Sequence, residues 1–244
     1  MKYTVIENKN VTLYVDEVIT IRNKQTGKVA KLTLGIDECA ESPRSYSEHM
    51  FHIVSSGLNW NISDKGYNMS YNDFVLLLIK TLSKKHPSIA QMSDVESILG
   101  VPGVDDDIIC KPIYMYDHSG QTISLTPFGC KWDSGLCGYA FCTKQDVLLY
   151  NGQLTDETWK DYALSVLDAE IEEYDAYIRG DVYYWEMFEY QPIECRNTIT
   201  GEVYMTEERA SIDSCGPYYT DSSTKILEDA LGNDWEVVEE IKEG

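Results

Sequence analysis

Ile108-Ile109-Cys110-Lys111-Pro112-Ile113-Tyr114-Met115-Tyr116-Asp117-His118-Ser119-Gly120-Gln121-Thr122-Ile123-Ser124 is the stretch on which the fold turns. β-Branched and aromatic residues stand on both sides of Asp-His-Ser-Gly. Asp and Ser side chains hydrogen-bond back to nearby backbone, and Gly accepts a positive φ, so the four residues predict a tight turn. The turn joins two strands, Ile108 to Tyr116 and Gln121 to Thr126. A second turn, Trp132-Asp133-Ser134-Gly135, leads into a third strand reaching Thr143. Thr155 to Ile178 then reads as the longest helix. Its stripe of Trp159, Ala163, Leu167, Ile171, Tyr174 and Ile178 follows a 3.6 period, and Gly180 suits its end. Strands in succession followed by a long helix predict α+β: a mostly antiparallel sheet with a few packed helices.

Outward from this stretch, residues 2–7, Val11 to Ile21 and Val29 to Leu34 read as a strand meander, with a turn at Asn23-Lys24-Gln25-Thr26-Gly27. Residues 37–50 look like a loop. Phe51 to Asn61 fits either a strand or an irregular buried stretch. Ser70 is the N-cap of a helix with Phe74, Leu77, Leu78, Thr81 and Leu82 inward, ended by His86-Pro87. A short helix from Ser93 turns Val95, Ile98 and Leu99 inward. The two helices are expected to pack on the early strands. Beyond the long helix come strands at Val182 to Tyr190 and Val203 to Thr206, a helix over Ser223 to Leu231 closed by Gly232, and Trp235 to Ile241.

The 244 residues carry 41 acidic and 20 basic side chains, a net charge of −21. Residues 1–120 hold 12 basic and 15 acidic side chains; residues 121–244 hold 8 and 26. That step places a domain boundary near residue 103. Residues 1–103 would be an N-terminal hairpin and helical pair, and 104–244 an acidic α+β region, unless the two form one continuous domain. So negative a surface repels phosphates and anionic membranes and attracts basic proteins in a salt-dependent way. Neither nucleic acid nor a membrane is therefore an expected direct partner. Solubility alone is the plainer reading.

The cysteine count is seven, with no Cys-x-x-Cys, which reads as reduced thiols in a cytoplasm. If Gly135 to Thr143 is a strand, Cys137 and Cys142 point to opposite faces, and the spacing with Cys130 does not suit zinc. No metal and no cofactor is expected. The N-terminus lacks the apolar core of a signal peptide, and the apolar run Val75 to Ile79 is far too short to span a membrane.

The segments Tyr116-Asp117-His118-Ser119-Gly120, Trp132-Asp133-Ser134-Gly135 and Asp213-Ser214-Cys215-Gly216-Pro217-Tyr218-Tyr219 resemble a family of uncharacterised bacteriophage and prophage proteins. The likeness covers roughly residues 110–220. It implies a phage or mobile-element source and a host bacterial cytoplasm, and it implies no mechanism.

Two readings of function follow. In one, Asp117, His118 and Asp133, with Ser119 nearby, form a site in which a carboxylate orients an imidazole. That would suit a small hydrolase or nucleotide-modifying enzyme. The plain alternative is that these are turn residues. A Cys215–His118 pair is conceivable, but nothing in the sequence brings the two together. In the other reading, Glu157, Asp161, Asp168, Glu172 and Asp175 share one face of the long helix, with Glu170 and Glu173 flanking the apolar stripe. Like charges four residues apart weaken a helix slightly. The row therefore fits either a solvated face or a docking surface for a basic partner. Tyr183 and Tyr184 join it as aromatic anchors, Tyr in a sheet being the plainer role. Trp132 is a core plug or an exposed anchor. This reading expects an acidic protein that inhibits or redirects a basic host protein, such as a defence nuclease of CRISPR or restriction type, by contacts that mimic nucleic acid. A structural component of the phage particle is a third class.

Overall fold

The computed structural model describes residues 3–6, 11–45, 49–55, 60–220 and 222–240. Lys2, Glu7 and Ile241, expected at strand ends, lie outside the described residues. In chain order the elements are β1 (Tyr3–Ile6), β2 (Val18–Asn23), β3 (Val29–Ile36), β4 (His52–Ser55), α1 (Tyr71–Leu82), α2 (Val95–Leu99), β5 (Ile108–Asp117), β6 (Gln121–Ser124), β7 (Ser134–Thr143), α3 (Lys144–Tyr150), α4 (Trp159–Arg179), β8 (Val182–Arg196), β9 (Val203–Tyr219), α5 (Ser223–Leu231) and β10 (Trp235–Glu240). The strands form two antiparallel sheets, so the class is α+β as expected. No helix among the described residues is long and apolar enough to cross a membrane.

The chain divides into two compact units: residues 41–180, and residues 1–40 together with 181–244. The expected boundary near residue 103 falls inside the first of these. The step in charge there marks a change of composition only, because β5 pairs with β7, which pairs with β4. Folding also removes the charge asymmetry. Residues 1–40 and 181–244 hold 10 basic and 21 acidic side chains; residues 41–180 hold 10 and 20.

In the 41–180 unit the sheet order is β4-β7-β5-β6. One face packs on α1 and α2 through Phe74, Leu78, Ile98, Tyr139 and Phe141. The early strands belong to the other unit, and the sheet on which the helical pair packs is β4, β5 and β7 of its own unit rather than the early strands that were expected. The Ser70 hydroxyl caps α1 by accepting from Asp73 N–H. Val75 joins the inward face and Leu77 is partly buried on it, whereas Thr81, expected inward, is exposed and donates its hydroxyl to Leu77 O. Asp94, not Ser93, caps α2. The helix α3 was not foreseen; a capping box of Thr143 and Asp146 starts it.

The opposite face packs on α4 through Ile109, Ile113, Trp159, Leu167 and Ile171. Cys137 and Cys142 both face this core, against the expectation of opposite faces. The cause is a β-bulge: the register passes from Ile113↔Gly138 to Tyr114↔Leu136, leaving Cys137 as the extra residue. Its thiol donates to Ile113 O, and burial pushes its pKa up to about 12.

A buried ion network fastens segment 43–64 to α4. The Arg44 guanidinium, 5% exposed, donates to both Asp64 carboxylate oxygens at 2.9 and 2.7 Å and to Glu170 Oε2 at 2.9 Å. It also donates to Phe51 O. Glu170 in turn accepts from Met50 N–H at 2.7 Å, and Asp64 accepts from Ile53 N–H at 2.8 Å. Burial alone would lower the Arg44 pKa, but the bonds and charges of Asp64 and Glu170 hold it above its ordinary value.

In the terminal unit the order is β1-β10-β2-β3-β8-β9. Ile21, Leu32, Leu34, Trp185 and Met187 pack with Leu227 and Leu231 of α5. Val11 to Glu17, expected as strand, is irregular apart from a bridge from Val15 to Leu34. Asp16, at φ 62°, turns the chain away there and donates its N–H to Leu34 O.

Arg44→Met leaves two buried carboxylates unpaired, and the unfolding free energy should fall by about 3–5 kcal/mol in urea titration. His52 stacks on Tyr67 at 4.4 Å between ring centroids, and burial lowers its pKa from 6.5. Protons then favour the unfolded chain. The contribution of His52 is complete above pH 6.5 and is lost as pH falls through its lowered folded value. His52→Phe keeps a stacked ring and should lose less stability than the wild type between pH 7 and pH 5.

Candidate functional site

The α4 helix begins at Trp159 rather than Thr155. Thr155 N–H donates to the Thr158 hydroxyl at 3.0 Å, so this short segment forms a local turn in place of a helical one. Glu157 therefore stands before the helix and is not part of its acidic row, contrary to the expectation. Gly180 ends the helix at φ 79°. The apolar stripe from Trp159 to Tyr174 is buried as read, with Ile178 partly so.

Five of the six carboxylates of α4 divide into two groups, and the sixth, Glu173, is half-buried beside the apolar stripe. Glu170 is buried with Arg44. Asp175, expected as a partner-binding residue, holds the sheet instead. Its Oδ1 accepts from the Thr122 hydroxyl and from Ile123 N–H, both at 2.7 Å, and its Oδ2 accepts from Arg179 Nε at 3.0 Å. Asp161, Asp168 and Glu172 are exposed and have no ion pair or side-chain hydrogen bond among the described residues. The nearest cation in sequence, Lys160, is engaged by Asp105 at 3.0 Å and Asp106 at 2.8 Å. The Lys160 hydrogen bond holds the Asp106 carboxyl below its ordinary value.

Between α4 and β6, the outermost strand of its sheet, lies a groove of about 320 Å³. Ile123, Leu125 and Ile171 give it apolar walls, Ser124 and Thr126 give hydroxyls, and Asp168, Glu172 and Asp175 give carboxylates. Such a groove accepts the apolar stem of a Lys or Arg side chain and pairs its head.

The two turns converge: Asp117 N–H donates to Asp133 O at 2.8 Å. His118 Nδ1 lies 3.4 Å from Asp133 Oδ2, with the imidazole 63% exposed. The Asp117 carboxylate is held elsewhere. It accepts from Trp60 Nε1 at 2.8 Å and Gln121 Nε2 at 3.1 Å, bonds that keep its pKa below the usual value. Of the expected set, only His118 and Asp133 form a side-chain pair. Ser119, and not Gly120 as expected, takes the positive φ of the turn, at 61°. No group of three His, Cys, Asp or Glu side chains among the described residues is placed to hold a metal ion. Trp132, beside this pair, is 96% exposed and so is no core plug. Cys215 lies on β9 of the terminal unit, whereas His118 lies in the 41–180 unit.

Tyr183 and Tyr184 stand on β8 in the terminal unit and so do not share an element or a unit with α4. Tyr183 is half-buried against that unit's core. The Tyr184 ring lies across Gly35, where a Cβ would come within 2.5 Å of it. Both therefore serve the sheet.

Two features escaped the sequence reading. Glu170 lies in register with the buried stripe, three residues after Leu167 and four before Tyr174, and a carboxylate at such a position signals a buried cation. The other is the pair of exposed apolar side chains on opposite faces of β9, Tyr204 and Met205. Comparison with family models, with curated proteins and with solved structures found no match.

Proposed function

We propose that this protein is an acidic binding protein whose α4 groove receives a basic segment of a protein partner. The observation that carries the reading is the division on α4. Glu170 and Asp175 are engaged by the fold, whereas Asp161, Asp168 and Glu172 remain exposed and unpaired among the described residues. Holding like charges on one helix face costs stability and serves a cationic partner. The free carboxylates lie seven and four residues apart, roughly 10 and 6 Å along the axis at ~1.5 Å per residue. A surface that binds successive phosphates could accept such a row. With the phage likeness of the turn segments, this favours a nucleic-acid-handling defence protein of the bacterial host as the partner, inhibited or redirected by competition with phosphate.

Wild-type protein and the Asp168→Lys/Glu172→Lys variant, each immobilised, should differ in capture from bacterial lysate. In 0.1 M salt the wild type should retain a basic protein that the variant does not. In 0.5 M salt, where screening length falls from roughly 10 Å to about 4 Å, that protein should elute. Retention indifferent to both salt and charge reversal contradicts the reading. His118→Ala should capture as the wild type does; loss of the biological effect in that variant alone would favour the hydrolase reading.

A further inference from the structure

The β9 strand is the outermost of its sheet and runs for 17 residues. From Val203 to Arg209 every residue is exposed, on both faces. Among the described residues no strand lies along its outer side. Such an edge presents a row of unpaired backbone N–H and C=O groups, and proteins ordinarily guard it by shortness, by charged side chains, by Pro, by a β-bulge or by a covering element. From Val203 to Ser211 only the charges of Glu207, Glu208 and Arg209 are present, and the bulge comes after the segment, at Ile212, between Ser211 and Asp213. Its sequence, Val-Tyr-Met-Thr-Glu-Glu-Arg-Ala-Ser, holds neither Lys nor Pro. Its one cation, Arg209, is turned aside: the guanidinium lies 3.7 Å from the centroid of the Phe188 ring and bonds Glu186.

The side chains beside this edge are selective. Val203, Met205 and Glu207 line one face, Tyr204, Thr206 and Glu208 the other. Met205 is 64% and Tyr204 53% exposed. Glu207 and Glu208 have no ion pair among the described residues. An incoming strand therefore meets apolar side chains at one end and a carboxylate on each face at the centre. A second copy of this chain fits poorly, since each copy carries −21 and would bring the same carboxylates.

The geometry points to the outer edge of β9, residues 203–211, as a docking site for a basic extended segment of a partner protein, which adds a seventh strand to the sheet. Main-chain hydrogen bonds supply the attachment, and apolar and basic side chains at alternate positions supply the selection. This surface belongs to the terminal unit, whereas the α4 groove belongs to the 41–180 unit.

The test uses the full chain and a fluorescein-labelled peptide, acetyl-Thr-Val-Thr-Lys-Lys-Val-Thr-Val-amide, with a twin N-methylated at alternate backbone amides. The expected result is saturable binding of the first peptide, at least ten-fold weaker binding of the methylated twin, and slowed amide exchange within residues 203–211. Thr206→Lys/Glu208→Lys should weaken binding at least ten-fold and abolish the slowed exchange within residues 203–211; slowed exchange at Ile123 to Thr126 instead would report occupancy of the α4 groove, so this proposal and the α4 reading fail separately. Absence of binding, equal binding of the methylated twin, or protection confined to other residues overturns it. So does sedimentation of the protein alone as a dimer already protected at 203–211, which would identify a second copy as the occupant.

Discussion

The Arg44 guanidinium, clasped between Asp64 and Glu170, sets the orientation of the long helix. A single carboxylate on α4 is drawn inward and fixed to the segment that leads into β4, through Met50 N–H and Arg44 together. With Glu170 inward, the 3.6-residue period carries Trp159, Leu167, Ile171 and Tyr174 onto the sheet. The same period carries Asp161, Asp168 and Glu172 outward. The network is therefore part of the reason that α4 has an acidic outer face, in addition to its role in holding the unit together. Buried ion pairs add little net stability against apolar replacements, yet removing one partner is costly. That asymmetry makes the helix rotation hard to change.

Asp175 adds a second constraint on the same helix. Its bonds to Thr122 and Ile123 tie the C-terminal half of α4 to β6, the outer strand, and so form one wall of the groove. One helix thus uses identical chemistry for two ends. Carboxylates with a cation or backbone N–H within reach hold the fold, and those without one give the surface its charge. Net charge therefore says little by itself about where a partner sits. Both units carry similar excess acid, and the unpaired groups on α4 and on the β9 edge locate the candidate contacts.

Much of the 41–180 unit could be read from the sequence. The strand pair around Asp117-His118-Ser119-Gly120 and the stripe of α4 have strong periods of two and 3.6, and Ser70 and Gly180 mark helix ends by local chemistry. The division into units could not be read, because the pairing of β2 with β10 joins residues more than two hundred apart and leaves no local trace. The length of β8 and β9 was missed for a different reason. Beyond Tyr190 both faces of the hairpin meet solvent, so the apolar alternation that marks a half-buried strand is lacking in Gln191-Pro192 and in Glu207-Glu208-Arg209. Of the site residues, the exposed acids of α4 were legible as a periodic row. The inward turn of Glu170 depends on Arg44, 126 residues earlier, and only the fold brings the two together.

The most direct measurement compares the unfolding free energies of five single amide variants of α4. Glu170→Gln and Asp175→Asn should each lower stability by about 1–3 kcal/mol, because each weakens bonds that the fold uses. Asp161→Asn, Asp168→Asn and Glu172→Gln should stay within about 0.5 kcal/mol of the wild type or exceed it, since their charges serve no partner within the chain. Equal losses across all five would contradict the account, for they would show that the outer acids hold the fold and are not free to meet a partner.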